Sequence, residues 1–418
     1  MGSSHNNNNN NNKGVDTNMA KKDVTPLKKG KANFTLIGKV KVNDYTFDLD
    51  HEYDSGWTSN IMNISVDCGN GNTVYAEMSG GYYPPKYKRD NLIYVHGIKE
   101  ENGKKTDDFD NTFTIDWDDR ENKTILETIG QGCFITVGIE KDEKGNTFYK
   151  NFLTEYDAVQ YLSEHLTDDT TVNVKGVITY ETDGEKVYIK KKINSIALSK
   201  AEPEKYKATF TQTILLDDGS IGKPDKEKNT IAISAYVVDY IGKPKINNKK
   251  IEVKKNFAIP VNMEFAIGED VELTSRQLSK LFKAKKNEII EITVEGNLVE
   301  GGSIVNITLD DIPDDIKELI ELGLYTEEEA LAKCAVGNTS REKRMIILKP
   351  AITYIGEGET RKPTVSRDCK KYTPEDLMFF GTYLATLEDN DTVDTEADVD
   401  NDSDEEDDDL LSLLNDLD

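Results

Sequence analysis

Residues that commonly carry catalysis are few in this chain and fall in no recognised pattern. After the first 18 residues the histidines are His51, His96 and His165, which share no metal-ligand spacing. The sequence contains no HExxH, GxSxG or phosphate-loop motif. The acid-rich stretch 108–122 lacks the glycine and terminal glutamate of a calcium loop, so we interpret it as a solvated β-hairpin loop. The sequence therefore predicts no enzyme, no metal site and no cofactor.

The cysteines do not indicate a metal site either. Cys68, Cys133, Cys334 and Cys369 form no CxxC pair, and we expect free thiols in a reducing compartment. No apolar run reaches the length of a membrane-spanning helix, and no secretory signal is present. The expected location is the cytoplasm, which would be that of the host cell if a phage encodes the protein.

Three stretches mix aromatic with basic residues, a combination that binds single-stranded nucleic acid because bases stack on rings while Lys and Arg contact phosphates. GGYYPPKYKRDNLIYVHG (80–97) supplies the candidates Tyr82, Tyr83, Lys86, Tyr87, Lys88, Arg89 and Tyr94. YVVDYIGKPKINNKKIEVKKNFAIP (236–260) supplies Tyr236, Tyr240, Lys243, Lys245, Lys249, Lys250, Lys254, Lys255 and Phe257. KVYIKKKI (186–193) supplies Tyr188, Lys190 and Lys192. The first two stretches are expected at comparable places in two repeats. For the first stretch, rings packed beneath the loop with lysines in solvent remain the alternative. For the other two stretches the alternative is a solvated face.

The elements that must position these residues are mostly strands. Between residues 31 and 310, short β-branched segments partly alternate between apolar and polar residues and end at Gly, Asn or Asp. Helices are predicted near 155–166, 274–284, 313–335 and 374–387.

An internal repeat organises the strands. KANFT (31–35) recurs as KATFT (207–211), and the strand pair 172–198 is echoed by 290–312. Gly38, Gly176 and Gly296 lie in mid-strand, where glycine marks a bulge, a bend or a close backbone approach. A unit of about five strands with a bent first strand and a helix before the fourth fits an oligonucleotide/oligosaccharide-binding (OB) barrel.

We therefore predict a mainly β protein with some α structure: tandem OB-fold-like β-barrels, a small α/β C-terminal segment and a disordered acidic tail. The expected boundaries are an added leader at 1–18, a basic N-terminal arm at 19–30, the first barrel at 31–200, the second barrel at 205–312, a helical and strand segment at 313–387, and the tail at 388–418.

Charge is distributed unevenly along the 418 residues, whose formal net charge is −26. The tail holds 16 of the 78 acidic residues and none of the 52 basic ones, which leaves 62 acidic against 52 basic residues elsewhere, a net charge of −10. The acidity of the whole chain therefore does not exclude a nucleic-acid partner. The leucines at the end of the tail have the spacing of one amphipathic helix, which favours docking on a partner protein. The candidate docking residues are Asp407, Asp408, Asp409, Leu410, Leu411, Leu413, Leu414 and Leu417.

The pair VNVKGVITY (172–180) and GEKVYIKKKINSIAL (184–198) resembles the closing hairpin of single-stranded DNA-binding proteins. The acidic C-terminal segment is similar to the tails of bacterial and tailed-phage members of that family, although it ends in LLSLLNDLD rather than Pro-Phe. The resemblance implies sequence-independent coating of single-stranded DNA during replication, recombination or repair. It also implies a tail that recruits replication or recombination proteins and competes with DNA for the basic groove.

Two other hypotheses remain open at this stage. A non-enzymatic structural or assembly protein with β-barrel modules would explain the β content and the acidic tail, but not the basic-aromatic stretches. An adaptor whose tail is its main functional part would bind partners without any nucleic-acid affinity. The high usage of Lys, Asn, Asp and Tyr favours a bacteriophage of a low-GC host. The sequence does not distinguish DNA from RNA and does not assign an oligomeric state.

Overall fold

The structure is a computed structural model, and it describes residues 24–383 apart from 102, 184–185, 226–228, 243, 247–248, 251, 268–277, 279, 302–316, 318–342 and 357–359. It is mainly β with few helices, as predicted. The acidic tail, the predicted helix 313–335 except residue 317, and the second strand of the predicted pair 290–312 lie outside the described residues.

The N-terminal half contains two helices and ten strands. In chain order these are β1 (Ala32–Lys41), β2 (Phe47–Glu52), β3 (Thr58–Asp67), β4 (Thr73–Tyr82), β5 (Leu92–Glu101), β6 (Lys104–Asp116), α1 (Lys123–Leu126), β7 (Ile135–Lys141), β8 (Thr147–Phe152), α2 (Glu155–His165), β9 (Thr171–Asp183) and β10 (Lys186–Leu198). Short 3-10 helices occur at Pro85–Tyr87, Trp117–Asp119 and Gln131–Cys133.

Five of these strands close a ring. β1 pairs with β3, β3 with β4, β4 with β10, β10 with β9, and β9 with β1 again. Only the β4–β10 contact is parallel, and the other four are antiparallel. If the ring strands are numbered 1 to 5 along the chain, the order is 1-2-3-5-4 and back to 1, which is the Greek-key order of an OB barrel. The helix α2 precedes ring strand 4, as that fold requires.

Alternation of apolar and polar residues explains why these segments form a barrel. In β1, every second residue from Ala32 to Val40 is buried, because successive side chains of a strand point to opposite faces. The helix α2 packs on β3 and β4 through Ala158, Val159 and Leu162, and it thereby covers one end of the barrel. Thr154 caps the helix by accepting the Asp157 N–H at 3.2 Å.

The C-terminal half contains eleven described strands. They are β11 (Lys207–Leu216), β12 (Ile221–Asp225), β13 (Thr230–Ile241), β14 (Lys245–Ile246), β15 (Lys249–Lys250), β16 (Lys255–Ala266), β17 (Ile290–Val299), β18 (Arg344–Pro350), β19 (Ile352–Ile355), β20 (Lys362–Val365) and β21 (Arg367–Asp368). Two more 3-10 helices are Pro203–Lys205 and Pro374–Asp376.

A second ring repeats the order of the first. β11 pairs with β13, β13 with β16, β16 in parallel with β18, β18 with β17, and β17 with β11. The closing strand β18 therefore lies beyond residue 312, where the sequence analysis ends the second barrel. The internal repeat predicted that the partner of β17 follows it directly in a short hairpin. The partner is instead β18, which begins 45 residues after Val299, at Arg344.

The two rings meet along β1 and β11, which pair antiparallel with Phe34 opposite Phe210. These phenylalanines are the equivalent residues of KANFT and KATFT, so the repeat generates a local two-fold arrangement. Gly176 lies opposite Phe34, and Gly296 lies opposite Phe210. A Cβ at Gly176 would lie 2.0 Å from the Lys192 carbonyl oxygen, and a Cβ at Gly296 would make the equivalent contact at 2.1 Å. The pairing shifts register beside each of these two glycines. At the third predicted position, Gly38, a Cβ would lie 1.9 Å from the Asp67 carbonyl oxygen, which is a close backbone approach.

Buried polar contacts also join the two rings. The Lys191 ammonium of β10 pairs with the Glu300 carboxylate after β17, and both side chains are buried, at 4% and 7% exposure. Asn72, in the turn between β3 and β4, donates to the Leu298 carbonyl at 2.8 Å and accepts the Glu300 N–H at 2.9 Å. The second barrel is therefore fixed to the turn between ring strands 2 and 3 of the first.

The described part of the basic N-terminal arm, residues 24–30, packs on the second barrel. Leu27 is buried beside Tyr372, whose hydroxyl accepts the Lys28 N–H at 3.1 Å. Lys29 pairs with the buried Asp239, which also accepts the Tyr180 N–H at 2.9 Å. The described part of the arm thus contributes to the contact between the barrels.

Candidate nucleic-acid interface

Five aromatic side chains gather where β3 begins and β4 ends, and we call them the rim cluster: Trp57, Tyr82, Tyr83, Trp117 and Tyr156. Thr58 of β3 lies opposite Tyr82 of β4 in the ladder, which places the residues that flank both strands at one end of the ring. Tyr82 stacks on Trp117 with ring centroids 4.8 Å apart and an interplanar angle of 18°. Tyr156 meets the Tyr82 ring edge-on at 5.3 Å, and Trp57 meets Tyr83 at 5.0 Å.

Cationic side chains lie on the faces of these rings. The Arg89 guanidinium lies 4.5 Å from the Tyr83 centroid, and the Arg120 guanidinium lies 4.5 Å from the Trp117 centroid. Arg120 is held in place by the Asp157 carboxylate, to which its Nε donates at 2.8 Å. All five rings of the cluster are half-buried, so they combine a fixed orientation with partial access to solvent.

The remaining residues of the first stretch differ from one another in their contacts and exposure. Tyr87 lies against Gly56, where a Cβ would meet the ring at 2.1 Å, and its hydroxyl donates to Glu52 at 3.2 Å. Hydrogen bonds from Lys86 and then Tyr87 hold the pKa of the Glu52 carboxyl below its ordinary value. Lys88 adopts a left-handed conformation with φ of 52°. Tyr94 lies away from the loop on β5 and is 81% exposed.

The third stretch lies on β10, next to ring strand 3. Lys192 is opposite Glu77 of β4, and Tyr75 lies two residues earlier on the same face of that strand, 45% exposed. Lys190 and Lys192 both approach the Glu181 carboxylate at 3.4 Å. Tyr188, also on β10, is half-buried. This face therefore carries two tyrosine rings and two lysines, but acidic partners offset part of its positive charge.

The second stretch departs most from the prediction. Phe257 is fully buried against Val253 and Phe380, so it presents no face to a base, and its assignment as a stacking residue was wrong. The reason is the alternation along β16, which directs Phe257 into the protein interior. Tyr236 is half-buried against Phe379 and donates to Asp217 at 3.2 Å.

Other residues of that stretch remain candidates. Tyr240 is 53% exposed, Lys255 lies 4.8 Å from the Tyr383 ring, and Lys254 pairs with Glu252. Lys245, Lys249 and Lys250 lie in the short strands β14 and β15, and Lys243 lies outside the described residues.

The first two stretches do not occupy comparable places, contrary to the sequence analysis. The tyrosine stretch follows β4, which is ring strand 3, whereas the lysine stretch connects β13 to β16, which are ring strands 2 and 3. Because ring strands 2 and 3 are antiparallel, these connections lie at opposite ends of their respective barrels. A single groove built from equivalent loops is therefore not the arrangement observed.

Several aromatic residues of the surface were not found from sequence. Trp57, Trp117 and Tyr156 lie in separate segments, and only the closure of the ring and the docking of α2 bring them together. Phe109, on the hairpin β5–β6, is 71% exposed. Phe109 belongs to the acid-rich stretch 108–122, and the prediction of a solvated loop there considered only the acidic residues. No local sequence pattern connects Trp57, Trp117 and Tyr156.

Two structural findings concern metal sites and membrane-spanning helices. Within the ranges that the structure describes, no group of three or more His, Cys, Asp or Glu side chains is arranged to hold a metal ion. In the same ranges, no helix is long and apolar enough to cross a membrane.

Comparison with known proteins relates part of the chain to a family and gives distant structural matches. A family model described as YorF matches residues 115–296, less than half of the chain. The wild-type single-stranded DNA binding protein from Thermus aquaticus is 11% identical, with a TM-score of 0.28 over 65% of this chain and 87% of that one. A deletion mutant of it is 11% identical, with a TM-score of 0.27 over 65% and 88%. No curated protein matches the chain. The two barrels are instead defined by the order in which their strands pair.

Proposed function

We propose that this chain is a sequence-independent single-stranded DNA-binding protein without enzymatic activity. The observation that carries the proposal is the position of the rim cluster. It lies beside ring strands 2 and 3 of a barrel with OB strand order, and that face with its neighbouring loops is where such barrels bind oligonucleotides.

The chemistry of the cluster supports single strands over duplexes. A half-buried ring with one face accessible offers a stacking surface to an unpaired base, and such stacking stabilises binding by about 1–3 kcal/mol per base. Stacking does not distinguish the bases, since every base has a π-face. Arg89 and Arg120 lie beside the rings, within reach of phosphates that follow the stacked bases. Tyr94, Tyr75 and Lys192 would extend the contact along the first barrel.

The cellular role follows from this activity and from the tail. The protein would coat single strands exposed in DNA replication, recombination or repair, in the cytoplasm of a host cell if it is phage-encoded. The tail 388–418 would recruit replication or recombination proteins through its leucines. It would also compete with DNA for cationic sites, because its 16 carboxylates resemble a phosphate backbone in charge.

A competition experiment tests the proposal. Full-length protein at low salt is mixed with a labelled oligo-dT, and unlabelled competitors are added: oligo-dC, mixed-sequence single strand, RNA of the same sequence, and duplex DNA. We expect the single DNA strands to compete within about a few-fold of one another, and duplex DNA to compete at least tenfold more weakly. Equal competition by duplex, or failure to bind oligo-dT at all, would overturn the proposal.

A further inference from the structure

The hairpin β5–β6 and the 3-10 helix Gln131–Cys133 bring three chemically active side chains together. His96 comes from β5, Asp107 from β6 and Cys133 from the end of the 3-10 helix. The strand pairing shifts register after His96, so that Gly97 lies opposite Asp108 rather than Asn111. A bulge of this kind re-aims side chains, and here it places Asp107 beside the imidazole.

The three groups form a hydrogen-bonded chain. The Cys133 Sγ atom lies 3.2 Å from Nδ1 of His96, and Nε2 of the same ring lies 3.3 Å from Oδ2 of Asp107. The His96 backbone N–H also points at Sγ, at 3.3 Å. The imidazole is therefore placed to accept the thiol proton, and the carboxylate orients the ring that would take it.

Two glycines precede the cysteine at the points where the His96 imidazole and the Asp107 carboxylate approach the backbone. The chain reads Gly130, Gln131, Gly132, Cys133. A Cβ at Gly130 would lie 2.4 Å from the His96 ring, and a Cβ at Gly132 would lie 2.7 Å from Oδ2 of Asp107. The Gly132 N–H donates to that oxygen at 3.0 Å. Both glycines therefore serve the close packing of the imidazole and the carboxylate.

The environment of Asp107 keeps it charged. Burial alone would raise the pKa of its carboxyl, but hydrogen bonds from the His96 ring and from the Gly132 and Gln131 amides together hold the pKa below its ordinary value. The Asp107 carboxylate therefore places a negative charge beside the His96 ring.

The site is partly exposed. Cys133 is half-buried, and its neighbour His96 lines an open cleft of about 480 Å³ together with Tyr94, Phe109 and Phe113. By contrast, Cys68 is buried in the core, and burial raises the pKa of its thiol to about 12. Cys369 is half-buried against the core. Of the three cysteines in the described ranges, Cys133 has an imidazole within hydrogen-bond distance of its sulfur.

We propose that Cys133, His96 and Asp107 form a reactive-thiol site that undergoes exchange with low-molecular-weight disulfides. Cys133 passes its proton to His96, and the thiolate attacks one sulfur of the disulfide. A new S–S bond forms to Cys133 as the original S–S bond breaks, and its electron pair leaves on the released thiolate, which takes up the proton. The product is a mixed disulfide and one free thiol. This inference does not depend on DNA binding.

The rate of reaction with 5,5′-dithiobis(2-nitrobenzoate) tests it in the full chain, with Cys334→Ser present throughout. Peptide mapping of partly labelled protein compares Cys133 with Cys369 in the same molecule. We expect Cys133 to react about tenfold faster than Cys369, and Cys68 to remain unlabelled. A Cys133 rate equal to or below that of Cys369 would overturn the proposal, and this comparison needs no change at the site itself.

Variants then separate reactivity from simple exposure. His96→Gln should slow Cys133 about tenfold, and Asp107→Asn should slow it less, because Asn retains a hydrogen bond without the charge. In His96→Ala, added imidazole should restore part of the lost rate, which a purely structural role of His96 would not allow. Labelling of Cys68 reports any variant that fails to fold. A well-folded His96→Gln protein with an unchanged Cys133 rate would contradict the assignment.

Discussion

At the scale of single residues, the rim cluster depends on side chains whose roles differ although their types are similar. Trp117 stacks on Tyr82 and lies beneath Arg120, whereas Phe257 is equally aromatic but sits in the core. Residue type alone did not separate the exposed rings from the buried ones. Whether a ring is accessible depends on the register of its strand. That register is known only from the strand pairing and cannot be read from the sequence.

Replacement of a rim tryptophan should weaken DNA binding without unfolding the barrel. Trp57→Leu and Trp117→Leu should each reduce the affinity for oligo-dT by about 1–3 kcal/mol, since a stacking face is lost. Fluorescence anisotropy of labelled oligo-dT measures the loss. Tyr149→Leu is the matched control, because Tyr149 is 57% exposed on β8 and outside the cluster. Equal losses in all three variants would argue against a specific role for the rim.

A methyl group at Gly176 should destabilise the first barrel. Gly176→Ala would place Cβ 2.0 Å from a backbone carbonyl oxygen, so the strand must shift, at a cost of about 1–3 kcal/mol. Chemical denaturation monitored by circular dichroism measures the free energy of unfolding. In Gly381→Ala, the new Cβ would have no neighbour within 4 Å, and stability should not fall. If both substitutions have the same effect, the close approach at Gly176 is not a constraint.

At the scale of elements, the alternating strands, the helix α2 and the two glycine bends were all predictable, because each has a local pattern. The partner of β17 was not predictable in the same way. β18 begins far along the chain, and no local signal distinguishes a strand that closes a ring from one that begins a new domain. The hairpin β5–β6, which lies between β4 and α2, and the contacts it makes were not predicted from the sequence.

The buried pair between β10 and the end of β17 should hold the two barrels together. Lys191→Met leaves the Glu300 carboxylate buried without its ammonium partner, which should cost about 3–5 kcal/mol of stability. The double variant Lys191→Met/Glu300→Leu should recover much of that loss. Lys192→Met, at an exposed neighbouring position, is the control. Guanidinium unfolding curves provide the comparison, and a neutral Lys191→Met would show that the pair is not coupled to folding.

The connection between α2 and β9 should contribute stability that depends on pH. Hydrogen bonds from Lys39 and then Lys41 of β1 lower the pKa of the Asp169 carboxyl. A lowered folded-state pKa gives stability that is present above the unfolded pKa and is lost as pH falls. Asp169→Asn should therefore be less stable than wild type near pH 7, and the difference should vanish by about pH 2. Asn tolerates the left-handed conformation at φ of 64°. A difference that grows on acidification would contradict this.

At the scale of the whole molecule, two barrels related by the Phe34–Phe210 contact carry aromatic and basic residues at different ends. The repeat in the sequence predicted the duplication correctly, but the surfaces have diverged where the loops differ. The acidic tail accounts for more than half of the net negative charge of the chain. The net charge therefore gives no indication of the local cationic sites in residues 1–387.

Removal of the tail should tighten DNA binding. A chain truncated after Leu387 loses 16 acidic residues, so it should bind oligo-dT several-fold, roughly threefold to tenfold, more tightly at low salt. The advantage should shrink as salt screens both the tail and the DNA. Anisotropy titrations at two salt concentrations measure it. A truncated chain that binds more weakly would indicate that the tail does not compete with DNA.

The most direct test of the account is a titration of the full chain with oligo-dT, followed by tryptophan emission. The two tryptophans of the chain, Trp57 and Trp117, both belong to the rim cluster, so the signal comes from the proposed site itself. We predict saturable quenching at low salt, with an affinity whose logarithm falls linearly with the logarithm of salt concentration. Binding of oligo-dT, detected by anisotropy, with no change in tryptophan emission would place the DNA elsewhere, and no binding at low salt would contradict the account as a whole.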